Sequence, residues 1–173
     1  MEIILAENHG FCYGVKRAVE MANEAANGAG KSYTLGPIIH NPQVVGRLES
    51  KGVKPIDEVS DIDSGTMIIR SHGVGPAIYE EAENKGLNIV DATCPHVKKA
   101  QQDAKSVIED GMTLVILGEK NHPEVKSINL WANNEGIIIE DEKSAQKLQI
   151  VEKMGVVVQT TFSQFKFNSI IDI

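Results

Sequence analysis

The residues with the most chemical range in this chain are its two cysteines, Cys12 and Cys94, and its five histidines, His9, His40, His72, His96 and His122. Thiolates ligate metals and clusters and act as nucleophiles; imidazoles donate hydrogen bonds to anions, bind metals and move protons. Each cysteine lies where an apolar, strand-like stretch gives way to a helical pattern. Gly10-Phe-Cys12-Tyr-Gly14 follows the run Glu2–Ala6, and Asp91-Ala-Thr-Cys94-Pro95 follows Leu87–Val90. A helix N-terminus offers unpaired backbone N–H groups and the positive end of the macrodipole, surroundings that suit an anionic sulfur. Pro95 fits a first helical turn, where the N–H it lacks would be unpaired anyway. The plain alternative is a pair of small buried hydrophobes, since free cysteine is among the most buried residue types.

The company the cysteines keep argues for chemistry. All five histidines and both cysteines fall in six short segments: 7–12, 36–41, 71–73, 93–96, 118–124 and 159–163, the last without either residue type but rich in hydroxyls. Each segment follows a strand-like stretch, and in α/β folds ligands bind beyond the carboxyl ends of the strands. His40, His72 and His122 are candidate hydrogen-bond donors to an anionic group, more strongly when protonated. Glu124, two residues after His122, is a candidate proton source. Thr160, Thr161 and Ser163 contribute hydroxyls, with helix capping as the competing role for Ser163. Gly10, Gly14 and Gly73 allow tight backbone beside Cys12 and His72.

The elements that position these segments alternate. A helix is expected from the spacing of Val15, Ala18, Val19, Ala22, Ala25 and Ala26, closed by Gly28-Ala-Gly30. Strands follow at Tyr33–Leu35, Thr66–Ile69 and Leu87–Val90, with helices over Val44–Leu48, from Pro76 to about Lys85, and from Pro95 to Gly111. A second set reads as strand Thr113–Leu117, a short helix around Val125–Leu130, strand Gly136–Ile139, helix at Ser144–Leu148, strand Gly155–Val158 and a last helix from Ser163. This is an α/β pattern with mainly parallel sheets. The boundary falls near residue 95.

Composition sets the class. The 173 residues are 42% hydrophobic and 24% charged, ordinary for a globular chain with a real core. No apolar run approaches the roughly 18 residues of a membrane span, and no charged and then apolar leader opens the chain. A cytoplasmic location is therefore expected, where both thiols stay reduced. The net charge of −7 argues against nonspecific nucleic-acid binding. An anionic small molecule would have to be held by local donors.

In order and approximate spacing, Gly10-Phe-Cys12-x-Gly14-Val15, Ile39-His40-Asn41, Ser71-His72-Gly73-Val74, Asp91-Ala-Thr-Cys94-Pro95, Asn121-His122-Pro-Glu124-Val125 and Gln159-Thr-Thr161-x-Ser163 resemble the 4-hydroxy-3-methylbut-2-enyl diphosphate reductases, the LytB/IspH family. The similarity runs to about Ser163. The resemblance implies repeated α/β units around a central site and an iron–sulfur oxidoreductase of the non-mevalonate isoprenoid pathway. Such an enzyme reductively removes the substrate's allylic hydroxyl to give isopentenyl and dimethylallyl diphosphates. It implies a [4Fe-4S] cluster on three cysteines, of which Cys12 and Cys94 would be two; three thiolates leave one iron open to the substrate. It further implies that His40, His72, His122 and Thr160 bind the substrate, that Glu124 delivers protons with help from Thr160, and that ferredoxin or flavodoxin supplies electrons.

Family members continue for roughly another domain, which supplies the third cysteine and a Ser/Asn cluster for the diphosphate. The expectation is thus a chain of two of three pseudo-equivalent units, 1–95 and 96–173, inactive by itself. The opening strand within 1–13 would belong with the third unit, and the apolar face of the last helix, Phe167, Ile170 and Ile171, would pack on chain further along. A different class competes: a cluster-free module that captures a diphosphate without redox chemistry. A Cys94–His96 hydrolase is weaker, because near neighbours at a helix start point different ways. The Cys and His spacings also match no compact zinc finger.

Overall fold

The computed structural model describes residues 2–7, 9–28, 30–149 and 152–173. Ala29, within the expected helix stop, and Asn8, in the loop before Cys12, lie outside them. Two parallel sheets organise the chain. The first has the order β2-β1-β3-β4, from β1 (Ser32–Leu35), β2 (Val53–Ile56), β3 (Thr66–Ile69) and β4 (Asn88–Asp91). The second has the order β6-β5-β7, from β5 (Thr113–Leu117), β6 (Ile137–Ile139) and β7 (Met154–Val158). The chain is α/β, as its alternating pattern implies. The two sheets repeat one another: the first strand of each sits between the second and third.

Burial explains why these strands read as unbroken apolar runs. Met67, Ile68 and Ile69 on β3 are all fully buried, as expected of a central parallel strand covered on both faces. Each such side chain contributes roughly 1.5–3 kcal/mol of apolar transfer. Helices α1 (Tyr13–Ala26) and α2 (Pro42–Ser50) bury Ala18, Ala22, Val44 and Leu48 against Ile68 on one face of the first sheet. On the other face lies α3 (Pro76–Asn84), whose Ala82 joins Met67 and Ile69. Helix α4 (Pro95–Glu109) belongs to the second sheet, packing Ala100 and Ala104 with Leu114, Ile116 and the α5 (Pro123–Trp131) residues Val125 and Ile128.

Four expectations change. Glu2–Ala6 forms no strand, and Ile3, Ile4 and Leu5 are exposed; an apolar run becomes a strand only where a neighbour completes its hydrogen bonds, and none of the described strands pairs with it. A strand that the periodicity missed, β2, lies at the edge of its sheet, where Pro55 is tolerated. Helix α6 (Glu142–Ala145) starts earlier than expected, because Asp141 and Ser144 form a reciprocal cap. Finally, α7 (Gln164–Ile171) packs on its own unit: Ile170 is buried with Val115, Leu117 and Ile139, and Phe167 adjoins them, while Ile171 stays exposed.

Candidate functional site

The carboxyl ends of the strands gather the polar segments at one place, beginning with backbone bonds that stitch the loops together. Ser71 N donates to Ile38 O (3.2 Å) and Cys94 N to Ser71 O (2.9 Å), so the loops after β1, β3 and β4 are tied side by side. Ile38 and Ile39 are buried and anchor the first loop. Asn41 then caps α2 by accepting from Val44 N (3.1 Å). His40 is left exposed between anchor and cap. His72 follows β3, and His122 is the N-cap of α5 in the second unit.

These three rings converge. Ring centroids lie 4.6 Å apart for His40–His72, 5.4 Å for His72–His122 and 6.0 Å for His40–His122. One ring nitrogen from each lies within 4.8 Å of the others. That spacing admits either a metal ion or an anion, and the hydrogen bonding favours the anion. His122 Nδ1 accepts from the Glu124 amide (3.2 Å), and because that amide is always a donor, the neutral ring must carry its proton on Nε2. It is therefore a donor there. Burial, with His40, Arg70 and His122 nearby, pushes the His72 pKa down to about 4. At neutral pH His72 is uncharged, and its buried Nδ1 has no protein partner. An arriving anion supplies the negative charge that the cluster lacks.

Glu124 sits on the first turn of α5 and is 2% exposed. Its carboxylate accepts from Thr160 N (2.6 Å) and Thr160 Oγ (2.8 Å), both just past β7. A buried carboxylate is thus paired by two donors from one exposed residue, which satisfies it without a cation. Thr161 lies aside, its hydroxyl accepting from Gln159 Nε2 (2.9 Å). Ser163 caps α7, the structural alternative for that residue.

The cysteines occupy equivalent positions: Cys12 is the N-cap of α1 and Cys94 of α4, and neither thiol bonds its own helix. A Cβ added to Gly14 would lie 2.6 Å from Cys94 Sγ, so only glycine lets the second thiol lie against the turn that begins at Cys12. Arg17 on α1 fastens the pair of turns by donating to Thr93 O (3.2 Å). Asp91 shapes the approach to Cys94, accepting from Thr93 N (2.9 Å) while pairing with Lys98 (2.6 Å) and Tyr79 OH (3.0 Å). Burial pushes Asp91 upward, but the bonds from Lys98 and Thr93 outweigh it and hold the carboxyl below its ordinary pKa. Two thiols at helix starts, the second lying against the turn that begins at the first, suit two ligands of an iron–sulfur cluster. His9 and His96 stand apart: His9 Nδ1 bonds Ala6 O (2.9 Å), and His96 is exposed on α4.

Three residues around the cluster escaped the motif reading. Ser127 Oγ donates to both His72 O (2.8 Å) and Glu124 O (3.0 Å) and accepts from buried Gln101 Nε2 (3.1 Å). This chain links α4, α5 and the His72 loop. Its sequence signal was Gln101 on an otherwise apolar helical face with Val97, Ala100 and Ala104. The third is Arg70, next to Ser71 at the end of a buried strand.

A family model described as LytB protein matches residues 3–173. The 4-hydroxy-3-methylbut-2-enyl diphosphate reductase of Geotalea uraniireducens is 50% identical over 172 residues, covering 99% of this chain and 61% of its own length. The one from Geobacter metallireducens is 51% identical over 163 residues, covering 94% and 58%. Among solved structures, the E-1-hydroxy-2-methyl-but-2-enyl-4-diphosphate reductase from Plasmodium falciparum aligns with a TM-score of 0.90 at 32% identity, over 96% of this chain and 54% of that one. The (E)-4-hydroxy-3-methyl-but-2-enyl diphosphate reductase described as the terminal enzyme of the non-mevalonate pathway gives 0.83 at 41% identity, over 98% and 62%. The chain spans about 60% of the length of the curated relatives it matches.

Proposed function

The chain belongs to the LytB protein family, and we propose that it forms part of an iron–sulfur reductase that converts 4-hydroxy-3-methylbut-2-enyl diphosphate to isopentenyl and dimethylallyl diphosphates. The observation that carries this reading is the meeting of His40, His72 and His122 from three loops of two sheets. Residues 1–95 and 96–173 are two of three pseudo-equivalent α/β units in this reading, with the third outside the chain.

The three histidines hold the diphosphate. His122 gives an Nε2–H, and His72 gains a proton when the anion offsets its burial and its cationic neighbours. Cys12 and Cys94 would be two of the ligands of a [4Fe-4S] cluster, which when bound would supply electrons, received from ferredoxin or flavodoxin, and Lewis-acid chemistry. Glu124 stores the proton. The described partners of its carboxylate are both on Thr160, so Glu124, once it has taken up a proton, would donate to Thr160 Oγ, the reverse of the bond the carboxylate accepts, while the hydroxyl passes its own proton to the substrate. The balance of the relay is one proton in and one out.

Calorimetric titration of the chain with the substrate diphosphate tests the histidine assignment. Loss of a charge-assisted hydrogen bond, worth about 1.5–3 kcal/mol, should weaken binding at least about tenfold in His40→Ala or His122→Ala; unchanged affinity in both would remove the basis of the reading. A second reading is diphosphate capture by the histidines without redox chemistry. Anaerobic reconstitution separates them: cluster incorporation that Cys12→Ser and Cys94→Ser abolish supports the reductase part, whereas diphosphate binding with no cluster uptake supports the binding module. Without the third unit, no turnover is expected from the 173 residues.

A further inference from the structure

We propose a second anion site, in the cleft between the two units beside the histidine cluster, that takes a small molecule carrying a phosphate or diphosphate through Arg70 and Lys126. The proposal stands on the cleft's own geometry and not on the function proposed above.

The cleft has a volume of about 460 Å³ and is lined by Gly36, Asp57, Arg70 and Gly73 from the first unit and by Asn121 and Lys126 from the second, among others. That size suits a small organic ligand. None of the ion pairs among the described residues includes Arg70 or Lys126, and Arg70 Nε is buried with no hydrogen-bond partner. An arginine held by a carboxylate would have its charge favoured; here burial alone acts, and it lowers the Arg70 pKa. Asp57 is the single acid on the wall, and it is exposed.

The backbone makes room for this arrangement. Gly36 has φ +69°, and a Cβ there would lie 2.8 Å from Arg70 Nη1. The guanidinium of Arg70, a residue of the cleft wall, is thus laid against bare backbone. A half-buried cation without a partner gives up hydration that nothing in the protein replaces, and a phosphate is a ligand whose geometry matches a guanidinium fork. Lys126 on the opposite wall adds a second point charge, and the Asn121 amide adds a donor. Helix α5 also starts on this wall, at Pro123, so the positive end of its dipole adjoins the cleft.

Arg70 also lowers the His72 pKa, so an anion neutralising Arg70 in the cleft would ease protonation of His72. The cleft and the cluster are therefore electrostatically coupled.

The test is a titration of the isotopically labelled chain with inorganic pyrophosphate, followed by the amide resonances of Gly36, Gly73 and Gly75. His40 is absent from the cleft wall, so in His40→Ala these cleft resonances should still saturate. They should require at least about tenfold more pyrophosphate in Lys126→Gln and in Arg70→Gln, from loss of one charge-assisted contact. Lys126 is exposed, so its variant separates binding from folding, and the amide spectrum of Arg70→Gln reports directly whether its fold is kept. Cleft shifts that vanish in His40→Ala, or that are indifferent to Lys126→Gln, would overturn the proposal. A His40-independent, Lys126-dependent response would uphold it even if the cluster itself bound no diphosphate.

Discussion

Replacing Thr160 by valine keeps the shape of the side chain and deletes a single donor, which makes the pairing with Glu124 measurable. The Thr160 Oγ bond is 2.8 Å long and ends on a carboxylate that is 2% exposed, so water cannot readily take its place. A hydrogen bond to a charged group contributes about 1.5–3 kcal/mol, and about 2 kcal/mol is expected here because the amide bond from Thr160 N remains. For a chain of this length that corresponds to a fall in Tm of about 4–8 °C. Glu124→Gln should cost a similar amount, since an amide presents one acceptor where the carboxylate offers two. The two changes remove overlapping interactions, so the double variant should fall short of the sum by about 1 kcal/mol or more. Thr160→Ser keeps the donor and should lie within about 0.5 kcal/mol of the parent. Urea unfolding followed by Trp131, the chain's single tryptophan, measures all four. The reasoning fails if Thr160→Val costs less than about 0.5 kcal/mol or if the pair is additive.

Pyrophosphate affinity should rise as pH falls from about 8 to about 6. The His72 pKa is about 4 in the free protein, and a bound anion raises it, so the complex holds more protons than its components; calorimetry in buffers of different ionisation enthalpy should report net proton uptake, and a flat profile would contradict the histidine assignment. Ser127→Ala strips partners from His72 O, Glu124 O and the Gln101 amide at once, and should destabilise by about 1–3 kcal/mol in denaturant titration. Gly155→Ala drives a methyl to within 2.3 and 2.7 Å of the two Val107 methyls. A β-branched side chain cannot turn away from such a clash, so a loss of about 1–3 kcal/mol is expected in the same assay; a neutral result would mean that α4 shifts freely over β7.

The parallel strands were legible because burial on both faces writes them as unbroken apolar runs, as at Met67–Ile69 and Thr113–Leu117. The same rule misled at Glu2–Ala6: an apolar run states that burial is wanted, and only a partner strand remote in sequence decides whether it happens. Val53–Ile56 failed in the opposite direction, since Pro55 reads as a breaker until the strand is known to be an edge. Within the site, His40, His72 and His122 stood out because each follows a strand end, and the fold brings such ends together. Arg70 carried no such mark. Its significance lies in what it does not touch, and an absent ion pair is invisible in a sequence. Gln101 was readable in principle as the one amide on an apolar helix face, but its partner Ser127 belongs to another helix.

The division of the histidines between two sheets gives the molecule a built-in protractor. His40 and His72 ride on loops bonded to one another in the first sheet, whereas His122 rides on the second, whose α5 meets the first unit through the Ser127 bond and the bond from Trp131 Nε1 to Val74 O (2.9 Å). Tilting one sheet against the other leaves the first two rings in register and carries the third away. A ligand gripping all three rings therefore measures the angle between the sheets, and any change that loosens the Trp131 hinge should appear first as a loss of affinity and only later as a loss of fold.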